Sequence, residues 1–267
     1  MNPFDAGILH FFNQFARHSW NFDNAVVLVS GNDFIKGGVV MSLLWWMWFR
    51  EGGSREQASR REVILFGLFS SFAALIVARF LAHALPFRER PLHNPDVSFQ
   101  MPYGMNEKTL IHWSSFPSDH AVLFFALATT IFFVSKRAGL LALCHAVFVV
   151  CLPRIYLGLH YPTDIVVGAL LGVAIASLSQ ITVLRHSLMR HFLLWLEESP
   201  GTFYAFLFLV ASQTAELFTP IREIMGLAML MPGLFMSLLA GLALIAVLAW
   251  RASMAANLRR EDATSSV

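Results

Sequence analysis

The sequence predicts an all-α fold: a polytopic transmembrane bundle of about six to seven spans, with a short interfacial helix in front. Three observations carry this expectation. Of 267 residues, 57% are apolar and 13% charged, and that is about half the charge of a soluble domain. Apolar runs of about 20 residues, enough helix to cross a bilayer, recur along the chain. Lys and Arg gather between alternate runs, as they do in multi-pass membrane proteins. The formal charge of +2 gives a nucleic acid little to bind. The start, MNPFDAGILHFFNQFARHSW, lacks the basic opening and unbroken apolar stretch of a cleavable signal peptide.

Residues 1–32 are expected as an interfacial or re-entrant segment. Ile8, Phe11, Phe12 and Phe15 recur at helical spacing against Asn13, Gln14 and Arg17, the pattern of a helix lying in the membrane plane. Residues 24–31 are too short to cross, so they either dip in or extend the first span. Residues 33–186 form the core, with spans expected at 33–49, 63–86, 119–135, 138–158 and 164–184. Residues 187–267 are a C-terminal extension with two further spans, 202–218 and 224–250. Glu216, beside Gln213 and Thr214, is its polar cluster, placed near an outer end where an interfacial role suffices. Cys144 and Cys151 lie about 10 Å apart by helix rise, too far for a disulfide, and read as small buried apolar residues. His145, in mid-span, reads as a hydrogen-bonded bundle histidine.

The basic segments are Arg50–Arg61, Lys136-Arg137, Arg185–Arg190 and the tail with Arg251, Arg259 and Arg260. Alternating spans put all of them on one side, the cytoplasm. Residues 87–118, 159–163 and 219–223 then fall outside.

Three outward stretches carry unusual residues. HALPFRERP (83–91) brings His83, Arg88 and Arg90 just before a helix-stopping proline. In SSFPSDHAVLFF (114–125), Pro117 and Ser118 precede a long apolar helix, with Ser118 as its cap. The free N–H groups there, with the helix dipole, make an anion site. CLPRIYLGLHYPTDIVVG (151–168) places Arg154 at one helix end, His160 in the Tyr161-Pro162 break and Asp164 in the next first turn. Brought together, these arginines, histidines, Ser118, a helix N-terminus and Asp164 suit a phosphate, whose oxygens guanidinium groups match bidentately. Zinc held by His83, His120 and His160 is opposed by the arginines beside it, so no metal and no cofactor is expected.

These segments resemble the tripartite signature of the type-2 phosphatidic acid phosphatase (lipid phosphate phosphatase) superfamily. That signature reads Lys-x6-Arg-Pro, then Pro-Ser-Gly-His, then Ser-Arg-x5-His-x3-Asp. Here it appears as His83-x6-Arg90-Pro91, Pro117-Ser118-Asp119-His120 and Pro153-Arg154-x5-His160-x3-Asp164. It covers 83–164 closely and 5–185 loosely. His83 replaces a lysine, Pro153 a serine and Asp119 a glycine. The last departure resembles the SFPSDH form of bacterial undecaprenyl-diphosphate phosphatases. The resemblance implies His160 as nucleophile, Asp164 as its orienting partner and His120 as the acid for the leaving oxygen. It implies a phosphate cradle of His83, Arg90, Ser118, Asp119 and Arg154, although a first-turn aspartate could instead stabilise its helix and point away. Arg88 is either a further phosphate ligand or a loop charge.

The implied activity is metal-independent hydrolysis of a lipid phosphate or diphosphate, best undecaprenyl diphosphate, at a bacterial inner-membrane site facing the periplasm. Phosphatidic acid or phosphatidylglycerol phosphate are the enzyme alternatives. The expected partners are that lipid and the bilayer, with no nucleic acid. A phosphotransferase using the same phosphohistidine, or a non-catalytic transporter component with a lapsed site, are the rival classes.

Overall fold

The structure, a computed structural model, describes residues 1–217 and residue 219. Every regular element among them is helical: α1 (Pro3–Asn13), α2 (Trp20–Gly31), α3 (Val39–Phe49), α4 (Ser54–Ala84), α5 (Asp119–Val134), α6 (Lys136–His145), α7 (Leu152–Tyr156), α8 (Pro162–Ser177), α9 (Thr182–Glu198) and α10 (Pro200–Ala215). Wide π turns at Phe34–Gly38 and Ala146–Cys151 lead into α3 and join α6 to α7. The protein is a multi-pass membrane helical bundle. Ser54–Ala84, Lys136–Tyr156 and Pro162–Gln180 are each long and apolar enough to cross a bilayer. Trp20–Gly31 and Phe34–Phe49 pass that test as a pair bent by 64°.

Residues 24–31 lie within α2, which breaks at Asn32. The Asn32 side chain accepts the Ile35 N–H at 2.9 Å and so restarts the helix at a new angle. α4 begins at Ser54 rather than at 63, carrying the polar stretch into the helix. An i,i+4 pair between Glu56 and Arg60 supports that turn. Arg60 also donates to the carbonyl of Arg50 at the end of α3. Residues 182–198, expected to be largely a connection, form α9. Of the two C-terminal spans, the first corresponds to α10, with 16 residues. The second, 224–250, lies outside the described residues. Cys144 is exposed rather than buried, while Cys151 is buried. The His145 ring meets the Ile35 carbonyl at 3.0 Å, which ties α6 to the bend.

The core sits around α5. Its apolar positions from Ala121 to Ile131 are nearly all 0–1% exposed, which is why this helix is apolar on every face. α4 runs antiparallel to it. α8 packs closest, because a Cβ on Gly168 would stand 2.7 Å from the Ser118 carbonyl oxygen and one on Gly172 2.2 Å from that of Val122. The Gly-x3-Gly spacing lets two backbones touch, a packing common in membranes. Its consequence is positional: the starts of α5 and α8 are held side by side. At the opposite end, Glu62 of α4 meets Arg185 at 3.5 Å and His186 at 2.8 Å. Two of the basic segments therefore share one end of the bundle, away from the α5 and α8 N-termini.

Candidate active site

The site forms where α4 ends, α5 and α8 begin, and α7 turns toward α8. After Tyr156 the chain reverses through Gly158, whose φ of +67° is a left-handed conformation that glycine adopts without penalty. Leu159 and His160 then both donate their N–H groups to the Arg154 carbonyl, at 2.9 and 3.3 Å. This fold-back presents the His160 imidazole, 3% exposed, to the loop 85–118.

His160 Nδ1 lies 2.8 Å from the carbonyl oxygen of Ser115. A carbonyl can only accept, so Nδ1 carries the proton and Nε2 keeps the lone pair. Nε2 in turn faces the Arg90 guanidinium at 3.3 Å, and arginine can only donate. Burial, then the charges of Arg90 and Arg154, hold the His160 pKa well below its ordinary value, against a smaller opposing effect of the Ser115 bond. The imidazole is therefore neutral at pH 7, the form a nucleophile needs.

Arg90 is 4% exposed and spans two loops. It donates to the carbonyls of Trp113 and Ser114, each at 3.2 Å, and to that of Leu159. Burial and the nearby Arg154 lower its pKa to about 9, which leaves it cationic at pH 7. Arg154, 6% exposed, sits 3.2 Å from His120 Nε2, while its Nε is buried without a hydrogen-bond partner among the described residues. Neither arginine forms an ion pair with a described carboxylate. Ser118 caps α5, its hydroxyl accepting from the Ala121 N–H, and its own N–H donates to the Asp164 carbonyl at 3.2 Å. That bond links the second and third motifs directly.

Two expected contacts fall elsewhere. Asp164, expected to hold the His160 ring, stands 3.6 Å from Nδ1, and the Ser115 carbonyl occupies that position. The Asp164 carboxylate instead accepts the Tyr161 N–H at 2.8 Å and an Arg88 N–H at 2.5 Å. Its role here is to hold the loop that carries His160. His83, expected at the corner of the family lysine, is exposed and makes no described polar contact. The α4 cation whose charge reaches the site is Arg79, one helical turn earlier. It is ion-paired with Asp119 and stacked over the Trp113 ring at 4.9 Å. Its charge also bears on Arg90 and His160.

Arg88 is engaged by two carboxylates. It bridges Asp164 and Asp5, the latter at 2.7 Å, and lies over the Tyr161 ring at 4.1 Å. Asp5 is fully buried and also accepts the N–H and hydroxyl of Thr163, both at 2.8 Å. α1 is thus bolted to the loop that carries His160. Arg79 and Asp5 were missed in the sequence, although an arginine inside the run AALIVARFLAH was a signal. Asp5 offered none beyond a first-turn acid.

Comparison with known proteins gives a consistent picture. Residues 64–187 match the model of the PAP2 superfamily. The chain is 52% identical over 60 residues to the bacitracin transport permease protein BcrC of Bacillus licheniformis, covering 22% of this chain and 29% of that protein. It is 27% identical over 182 residues to the lipid A 1-diphosphate synthase of Escherichia coli strain K12, covering 65% of this chain and 73% of that one. No solved structure matches.

Proposed function

We propose that this chain, whose residues 64–187 belong to the PAP2 superfamily, is a metal-independent lipid diphosphatase that works through a phosphohistidine on His160. The best-supported substrate is undecaprenyl diphosphate, converted to undecaprenyl phosphate on the periplasmic side of a bacterial inner membrane. One observation carries the reading. Arg90 meets the lone pair of His160 Nε2 and Arg154 that of His120 Nε2, both guanidiniums buried and neither paired to a carboxylate among the described residues. Buried charge without a counter-ion is costly, and a bound phosphate supplies that counter-ion.

The chemistry follows from the hydrogen bonds. Nε2 of His160 attacks phosphorus as the bond to the leaving oxygen breaks. Arg90, Arg154 and the α5 N–H groups stabilise the equatorial oxygens. His120 Nε2 accepts from Arg154. When phosphate oxygens take over that guanidinium, His120 can hold a proton and deliver it to the leaving oxygen, an effect of about 10² to 10⁴ in rate. Water then cleaves the N–P bond, with His120 removing its proton.

A second reading has its own support. The relative aligned over the greater length is named a diphosphate synthase, so a phosphotransferase that passes the phosphoryl group to a lipid acceptor uses the same groups. The transporter reading echoes the permease name of the other relative, but a transporter needs no neutral imidazole among buried guanidiniums. The test is phosphate release from purified undecaprenyl diphosphate, undecaprenyl phosphate, phosphatidic acid and phosphatidylglycerol phosphate, with no acceptor added and with EDTA present. The diphosphatase gives free phosphate, fastest from undecaprenyl diphosphate. Release only with an acceptor identifies a transferase, and a preference for the glycerolipids removes the substrate assignment.

A further inference from the structure

Around His160 three guanidiniums are treated differently. Arg90 and Arg154 are 4% and 6% exposed and meet neutral acceptors. The Arg79 side chain is 31% exposed and meets a carboxylate, that of Asp119. Asp119 itself is 5% exposed, and its Oδ1 is buried without a hydrogen-bond partner among the described residues. The Trp113 ring beneath Arg79 belongs to the same loop whose carbonyls hold Arg90. Arg79 is thus the most exposed of the three guanidiniums, and the deep pair is the more enclosed.

We propose that Arg79 and Asp119 form a substrate-operated charge lock that selects lipid diphosphates over lipid monophosphates and expels the monophosphate product. This rests on the diphosphatase reading above. The phosphoryl group under attack must lie deepest, against His160, Arg90 and Arg154. In a diphosphate the lipid-bearing phosphate then lies outward, at Arg79, and its charge takes the guanidinium from Asp119. A monophosphate has one phosphate only, which occupies the deep position and leaves the Arg79–Asp119 pair closed, so it gains nothing there. After cleavage the lipid keeps the outer phosphate alone. Asp119 competes with it for Arg79 and also repels it, because the carboxylate is too buried to be screened by water. The lock thus adds affinity for the diphosphate and subtracts it from the product.

The test uses the full chain in detergent with farnesyl diphosphate and farnesyl monophosphate as probes. Arg79→Ala lowers the ratio of kcat/KM for the diphosphate to that for the monophosphate by about 10-fold or more, the size of one charge-assisted contact. The Arg79→Ala/Asp119→Asn double variant, which buries no orphan charge, shows the same collapsed ratio if the single variant folds poorly. With inorganic phosphate filling the deep position, Asp119→Asn tightens inhibition by farnesyl monophosphate about 10-fold, and inhibition by inorganic phosphate alone stays as in wild type. If wild type hydrolyses both probes but the ratio survives loss of Arg79, or product inhibition ignores Asp119→Asn, the lock alone is overturned. If wild type hydrolyses neither probe nor the lipids above, the diphosphatase reading falls and the lock with it.

Discussion

The His160→Gln protein folds as wild type does and releases phosphate about 10⁴-fold more slowly or worse, the scale on which loss of a covalent nucleophile is felt. Glutamine is chosen because it can keep both contacts of the imidazole. Its amide N–H donates to the Ser115 carbonyl and its oxygen accepts from Arg90, the two bonds that His160 makes at 2.8 and 3.3 Å. The buried loop then loses neither partner, and the thermal midpoint in detergent stays within a few degrees. What is lost is the lone pair that attacks phosphorus. Phosphate release and thermal unfolding, measured on one preparation, separate loss of chemistry from loss of fold.

Arg154→Met gives an opposite signature in the same two measurements. Activity falls by about 10² to 10³, as expected when one preorganised charge is taken from a transition state. Stability does not fall; it rises by about 1 kcal/mol or more. Arg154 is a buried cation whose Nε has no hydrogen-bond partner among the described residues and whose described contact is to a neutral imidazole, so an apolar side chain of similar length removes a desolvation cost. Sites that bind charge are commonly unstable for this reason. Arg90 provides the contrast. Its N–H groups satisfy the carbonyls of Trp113, Ser114 and Leu159, and stranding buried carbonyls costs about 1–3 kcal/mol each. Arg90→Met therefore loses stability along with activity. A stability gain at Arg90, or a loss at Arg154, would contradict this division between a structural and a purely functional guanidinium.

The apolar runs, the basic segments and the capped start of α5 were legible because each is a local pattern with a local cause. Ser118 followed by an apolar run reads as a helix start, and Ser118 does cap α5. The three motifs were legible as residues, and the fold brings His160 to Arg90 and His120 to Arg154. Three features were hidden, for different reasons. The partner of His160 Nδ1 is a backbone carbonyl, and every residue has one, so no side chain marks it. The cation paired with Asp119 lies one turn before the position that the motif spacing pointed to, because helical phase rather than linear count decides which side chain faces a site. The tie from Asp5 to Thr163 joins residues 158 apart in sequence, and an acid in a first helical turn already has a sufficient local explanation as a cap. The break between α2 and α3 was partly legible, since Gly31, Asn32 and Asp33 interrupt the apolar run, but the 64° angle was not.

The Asp5–Arg88–Asp164 chain also changes the standing of the N-terminal helix. α1 is amphipathic and its aromatic side is exposed, with Phe4, Phe11 and Phe15 between 45% and 55% accessible. Its buried acid nevertheless reaches the loop that carries His160. The helix expected at the membrane surface is thus also a brace of the loop that carries His160.

The central claim, attack by the neutral Nε2 of His160, is tested most directly by trapping the covalent intermediate. The full chain in detergent is mixed with farnesyl diphosphate labelled in its terminal phosphate and quenched in alkali within the first turnovers. The account predicts label bound to the protein, stable to alkali and released by mild acid, mapping to the peptide that contains His160 and absent from the His160→Gln protein. Turnover without any such species, or label held on another residue, would contradict it.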